Sequence, residues 1–182
     1  MRRALMIGAL LPVLLFSLAS VARADVTTVS GNPLRTGWDA VEPTLTPARV
    51  ASAAVGELFE TSLPKVVGNR QSGAQRQLVE AQPIVAGGYL IIATEENRVY
   101  GLNPATGVVK WSRDLGPSWP VSTIGCTDLV PDIGVTSTPV YDPANQTLYV
   151  LDKTYDGKRS GVTRPSFQLH ALNIVNGRER KG

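Results

Sequence analysis

The chain has 182 residues, 43% of them hydrophobic, with 18 Lys+Arg against 15 Asp+Glu, one Cys and one His. That length and apolar content suit one ordinary domain, and the single Cys126 excludes a disulfide within the chain. Setting aside Arg2, Arg3 and Arg23 leaves 15 basic against 15 acidic residues, so the net +3 is no footprint of a nucleic-acid binder.

Residues 1–24 have the pattern of a secretory signal peptide. Arg2 and Arg3 precede an apolar run over 4–16, Ala22-Arg23-Ala24 offers small residues for cleavage, and Asp25 becomes the mature start. The run is too short, and too soon followed by small and polar residues, to span a membrane. Ala4, Leu5 and Met6 fit a twin-arginine signal poorly, so general secretion and a periplasmic or secreted location are expected. A lone thiol such as Cys126 reads as a small buried hydrophobe.

Residues 25–63 read as an extended lead-in ending in a first strand. The lead-in is rich in Thr, Pro, Asn and Gly, with one helical turn at Leu45-Thr46-Pro47-Ala48-Arg49-Val50. The strand is expected over 56–63, where Leu58, Thr61 and Leu63 stand among polar neighbours. The stretch 65–77, with Gly68, Asn69, Gly73 and several Arg and Gln residues, reads as a solvated loop.

Four short strands follow. Residues 82–85 lead to a Gly87-Gly88 turn, 89–94 form a strongly apolar strand, Glu95-Glu96-Asn97 turns, and 98–102 alternate as a third strand. Asn103-Pro104-Ala105-Thr106-Gly107 turns again, with Pro presetting φ and Gly taking the left-handed position, before a fourth strand over 108–112 that carries Trp111. Residues 115–135, with Pro117, Pro120 and Pro131, read as a long irregular loop. A second set then begins: strand 138–141, a turn at Asp142-Pro143-Ala144-Asn145, strand 147–151, an insertion over 155–165, and strand 167–172.

The two sets repeat one phrase. Val99-Tyr100-Gly101-Leu102-Asn103-Pro104-Ala105-Thr106-Gly107 returns as Leu169-His170-Ala171-Leu172-Asn173-Ile174-Val175-Asn176-Gly177. Pro83 and Pro139 stand 56 positions apart but Leu102 and Leu172 stand 70 apart, so the second copy has gained 14 residues. Self-similarity at this period marks units that cannot bury their apolar faces alone, and insertions in such units fall on one face. The fold class expected is all-β: blades of four antiparallel strands within a β-propeller, about two of them over residues 64–182. After Asn176-Gly177 the copy breaks off, with Lys181 at the position of Trp111. Two blades cannot close a ring, so the chain is expected to be the N-terminal part of a larger propeller rather than one of several assembling copies.

The phrase from Ala93 to Trp111, with its small residue, Asn, Thr-Gly turn and Trp, resembles the signature of PQQ-like repeats in the quinoprotein alcohol dehydrogenase-like superfamily. Arg35-Thr36-Gly37-Trp38, with Leu45-Thr46-Pro47 and Val50, is similar to the start of bacterial proteins of that kind. The resemblance implies that Trp111 docks on the neighbouring blade, with Leu102, Gly107, Leu172 and Gly177 as structural positions. It also implies that Glu80, three residues before Pro83, occupies the place of an acid that contacts pyrroloquinoline quinone beside calcium. Gly125-Cys126-Thr127-Asp128 lacks the adjacent cysteines of true quinoprotein dehydrogenases, so their cofactor-facing disulfide cannot form. Asp128 and Asp132 read as solvating acids in a loop, with no metal site expected, and His170 as a structural member of its strand. No catalytic residue can be assigned.

The expectation is therefore an exported scaffold or binding module, with no cofactor in these residues. Its partners would be the remaining blades and a protein or polymer held by loops 115–135 and 155–165, with no nucleic acid. The alternative is a quinoprotein dehydrogenase dependent on quinone and calcium. A third reading, an outer-membrane assembly component, lacks a cysteine after the signal region for a lipid anchor.

Overall fold

The computed structural model describes residues 25–39, 44–53, 55–67, 74–125, 127–155 and 165–181. The signal region 1–24, Cys126, the centre of the 65–77 stretch and nearly all of the 155–165 insertion lie outside the described residues. The chain is mostly β, with one short helix, and every sheet is antiparallel and open.

Helix α1 (Pro47–Val50) starts where expected: Thr46 caps it by accepting from the Arg49 N–H, and Pro47 fills a first position that needs no donor. The strand expected over 56–63 is not a strand, since residues 55–65 belong to no sheet. An alternation is present, but Phe59 rather than the expected Leu58 takes the inner position with Thr61 and Leu63. Phe59, Thr61 and Leu63 are half-buried while Leu58, Glu60 and Ser62 face solvent. What is missing among the described residues is a neighbour to form a ladder with. Strands β1 (Val66–Val67) and β2 (Ala74–Gln75) pair in a small ladder within the stretch expected to be loop.

Four strands then form one sheet in sequence order: β3 (Ile84–Ala86), β4 (Tyr89–Ala93), β5 (Arg98–Leu102) and β6 (Val109–Asp114). They match the expected elements to within a residue or two at each end. The stretch 115–135 departs from expectation. It holds β7 (Trp119–Pro120) paired with β8 (Asp132–Ile133), a 3-10 turn at Val121–Thr123, and a small core of Trp119, Val121 and Ile133 against Leu129 and Tyr155. Its apolar residues have no helical or strand period, so their joint burial could not be read locally.

The second set gives a three-stranded sheet: β9 (Val140–Asp142), β10 (Thr147–Tyr155) and β11 (Pro165–Asn173), in the order β11-β10-β9. Strands β10 and β11 pair without a break from Thr147↔Asn173 to Tyr155↔Pro165. They are longer than expected because part of the added length extends the hairpin arms.

The two sheets pack face to face through Ile91, Ala93, Val99 and Trp111 on one side and Leu148, Val150, Leu172 and Ile174 on the other, all in one buried cluster. The lead-in closes two sheet edges at once. The Val26 N–H donates to the Val85 carbonyl at 2.7 Å, and the Tyr141 N–H donates to the Thr27 carbonyl at 2.8 Å. Exposed edge groups of β3 and β9 are thereby satisfied by the chain itself.

Trp111 is the largest plate in this interface. Its ring lies so close over Gly101, its partner on β5, that a Cβ there would stand 2.2 Å from Trp111 Cε2. The other side covers Gly177 of the second unit, where a Cβ would meet Cε3 at 2.5 Å. The indole N–H donates to the Ile174 carbonyl at 3.0 Å, and Tyr89 packs at a tilt of 56° with ring centroids 6.3 Å apart. Apolar burial and a satisfied N–H are what a buried Trp requires. Trp111→Ala is expected to cost about 3–5 kcal/mol of stability, measured by urea unfolding; an unchanged midpoint would remove Trp111 from the interface.

Candidate functional site

The least expected residues are those of the β4–β5 turn. Glu95, Glu96 and Asn97 read in sequence as a polar hairpin turn, yet they are 0%, 1% and 0% exposed. The loop after β6, the segment before β3 and strand β10 converge on them. The Glu95 N–H donates to the Leu78 carbonyl, the Leu115 N–H to the Asn97 carbonyl and the Val135 N–H to the Thr94 carbonyl, at 2.9, 3.0 and 3.2 Å. Asn97 turns the chain with φ of 57°, a left-handed value that Asn tolerates better than most side chains.

Both buried carboxyls have donors aimed at them. Glu95 Oε2 accepts from the Gly134 N–H at 2.7 Å and the Thr136 hydroxyl at 3.0 Å, while Oε1 has no partner. Both Glu96 oxygens accept from the Leu78 N–H, at 3.2 and 3.1 Å. The Asn97 amide donates to the Lys153 carbonyl at 3.1 Å, and its Oδ1 is unpaired. Gln77 completes the surround, accepting from the Thr94 hydroxyl at 3.0 Å and donating to Tyr100 Oη at 2.6 Å.

Burial pushes the carboxyl of Glu95 above its ordinary range, opposed by the Gly134 and Thr136 hydrogen bonds and reinforced by the Glu80 charge. Burial likewise raises Glu96, against the Leu78 hydrogen bond, with Asp132 adding repulsion. Asp132 is itself 1% exposed and accepts from the Ser118 hydroxyl at 2.9 Å. That corrects the expectation of a solvating acid; Asp128, by contrast, is exposed as expected. A groove of about 280 Å³ runs beside the cluster, lined among others by Ile133, Gly134, Thr136, Asp152 and Lys153. Chemically, the cluster holds two hydrogen-bond-accepting carboxyls whose charged form is disfavoured by burial.

The residues singled out from sequence are distributed differently. Glu80 is exposed ahead of β3; it is close enough for its charge to reach Glu95. Leu102 and Leu172 are fully buried on their sheets, and Gly107 and Gly177 close their turns at φ of 69° and 67°. Trp111 joins Gly177, while Glu80 lies in a different region from both. His170 is half-buried between Asp152 and Glu179. Among the described residues no three His, Cys, Asp or Glu side chains are placed to hold a metal ion, and no helix is long and apolar enough to cross a membrane. The sequence matches no family model and no curated protein. Nothing local in Glu95-Glu96-Asn97 signals burial, because the covering groups come from residues 77–78, 115, 134–136 and 153.

A carboxyl raised on folding stabilises the protein below its unfolded value of 4.5 and loses that contribution as pH rises through the folded value. Glu95→Gln keeps an acceptor for Gly134 and Thr136 without the charge. Its stability relative to wild type should therefore improve between pH 5 and pH 7.5 in urea unfolding. An equal difference at both pH values would show that Glu95 ionises freely.

Proposed function

We propose that the protein is an exported PQQ-like β-propeller repeat protein, its two larger sheets being successive blades of a larger ring, and that it acts as a binding or scaffold module. The observation that carries this reading is one contact made twice. Trp111 covers Gly177 in the turn after β11, and Phe59 covers Gly107 in the turn after β5, where a Cβ would stand 2.3 Å from the Phe59 ring. The two turns also share their bonding. Asn103 Oδ1 accepts from the Ala105 N–H at 2.8 Å and Asn173 Oδ1 from the Val175 N–H at 2.9 Å, while the Gly107 and Gly177 N–H groups each close on the Asn carbonyl at 2.8 Å.

An aromatic side chain from one layer thus seats on the glycine of the next. Phe59 stands to the first sheet as Trp111 stands to the second. On this reading residues 57–63 are the outermost strand of a further blade, which accounts for their alternation without a ladder. The apolar groove of about 250 Å³ that they line with Val79, Leu90, Ile92 and Leu102 is then an unfilled part of a blade interface. The outward face of the second sheet supports the same conclusion: Tyr149, Leu151, Phe167 and Leu169 are 37%, 42%, 65% and 70% exposed. Val99 and Ala93, which match Leu169 and Leu151 by register, are buried on the first sheet.

Export rests on the residue pattern of 1–24. The loop 115–135 lies at the same end of its sheet as the buried Glu95 turn, and it is, with the insertion over 155–165, the surface offered to a protein or polymer partner. The competing reading, a dehydrogenase dependent on quinone and calcium, rests on Glu80 alone, and no cofactor is assigned.

Two measurements test the proposal. Gly107→Ala and Gly177→Ala should each cost about 1–3 kcal/mol, because the new methyl must displace a ring; a neutral outcome at both would end the layer-on-layer reading. Titration with pyrroloquinoline quinone and calcium should leave protein fluorescence unchanged. Saturable binding weakened by Glu80→Ala would install the dehydrogenase reading instead.

A further inference from the structure

His170 sits where the second sheet, the segment 178–181 and β6 of the first sheet come together. It projects from β11 toward the first sheet, on the same face as Leu172, and it is the only His in the chain. Its Nε2 lies 3.5 Å from Oδ1 of Asp152 on β10, a side chain that is 0% exposed. At that separation the contact is a charge pair rather than a hydrogen bond, and both Asp152 carboxylate oxygens are otherwise without a partner. On its other side Nδ1 meets Glu179 Oε1 at 2.5 Å. Glu179 in turn lies 3.9 Å from Arg113 Nη2, on β6 of the first sheet.

Glu179 therefore touches both sheets, the second through the His170 imidazole and the first through Arg113. The backbone of residues 178–181 holds to the second sheet by the Arg180 N–H donating to the Ala171 carbonyl and the Asn173 N–H donating to the Arg178 carbonyl, both at 2.8 Å. The link from this segment to the first sheet, by contrast, is electrostatic: Asp152, His170, Glu179 and Arg113 form a row that alternates in charge only when the ring is protonated.

We propose that His170 is a proton-operated clasp: as imidazolium it bridges Asp152 and Glu179 and pins residues 178–181 across the two sheets, and as neutral imidazole it releases them. The neutral ring has one N–H. It cannot serve both carboxylates, and Asp152 would then be a buried charge facing no cation. The charged groups that face the ring are Asp152 from β10 and Glu179 from the terminal segment, with Arg113 from β6 acting through Glu179. The pairing with Asp152 and the contact with Glu179 raise the ring above its ordinary value, against burial. A raised His stabilises the folded state fully below its unfolded value of 6.5 and loses that stabilisation as pH rises through the folded value. The clasp is accordingly closed at acidic pH and opens on the alkaline side.

A single histidine makes the test direct. In a 15N-labelled sample of the full chain, the imidazole should titrate above 6.5, and Glu179→Gln, at a solvent-accessible position, should lower its midpoint. Amide exchange at Arg180 and Asn173, corrected for intrinsic base catalysis, should rise at least several-fold as pH passes through that midpoint. His170→Gln should abolish this added pH dependence while leaving exchange in β4 and β5 unchanged. A ring titrating at or below 6.5, or a midpoint indifferent to Glu179→Gln, overturns the clasp. So does pH-independent exchange at Arg180 in the wild-type protein. None of these readouts depends on the number of blades or on a cofactor.

Discussion

The structure depends on one aromatic plate between two open sheets. Neither the four-stranded nor the three-stranded sheet can bury its apolar face alone, and Trp111 fills the gap between them. Its geometry works only because glycine stands on both sides, at Gly101 beneath and Gly177 above. A side chain at either place would enter the ring. The indole N–H then finds the Ile174 carbonyl, so a large polar-tipped group is buried with no unpaired donor. Distances of this kind propagate: they set the spacing between sheets, and hence where the loop after β6 must pass.

That passage creates the polar interior. Once the sheets are fixed, residues 132–136 run across the end of the β4–β5 hairpin, and Glu95, Glu96 and Asn97 lose contact with water. Their desolvation is offset by backbone N–H groups of Leu78 and Gly134 and the hydroxyl of Thr136. Burial raises these carboxyls in spite of the donors that hold them, whereas the two carboxylates beside His170 raise the ring and favour its charged form. The same protein thus carries groups that stabilise it on the acid side at two separate places.

The repeat also explains what lies open. In the first sheet the face bearing Ala93 and Val99 is covered by the second sheet; in the second sheet the matching face bearing Leu151 and Leu169 is exposed. Likewise the face of Leu90, Ile92 and Leu102 lines a groove with Phe59, Thr61, Leu63 and Val79. The proposed ring gives both surfaces the same occupant, another sheet of this kind.

The sequence by itself determined the strands and their turns. Period-two alternation over 89–102, the Gly87-Gly88 and Asn103 to Gly107 turns, and the second copy of that phrase are local signals, because φ preferences and side-chain alternation act over a few residues. Tertiary structure decided which of those strands found partners and which polar groups were buried. Residues 56–63 alternate but have no ladder among the described residues, since a ladder needs a second strand. The 115–135 stretch has a core of its own because Trp119 meets Ile133 across it. Glu95 reads as a turn residue, Asp132 as a solvating loop acid and His170 as a plain structural member of its strand in sequence. Their burial and charge were decided by groups up to tens of residues away, which no local pattern encodes.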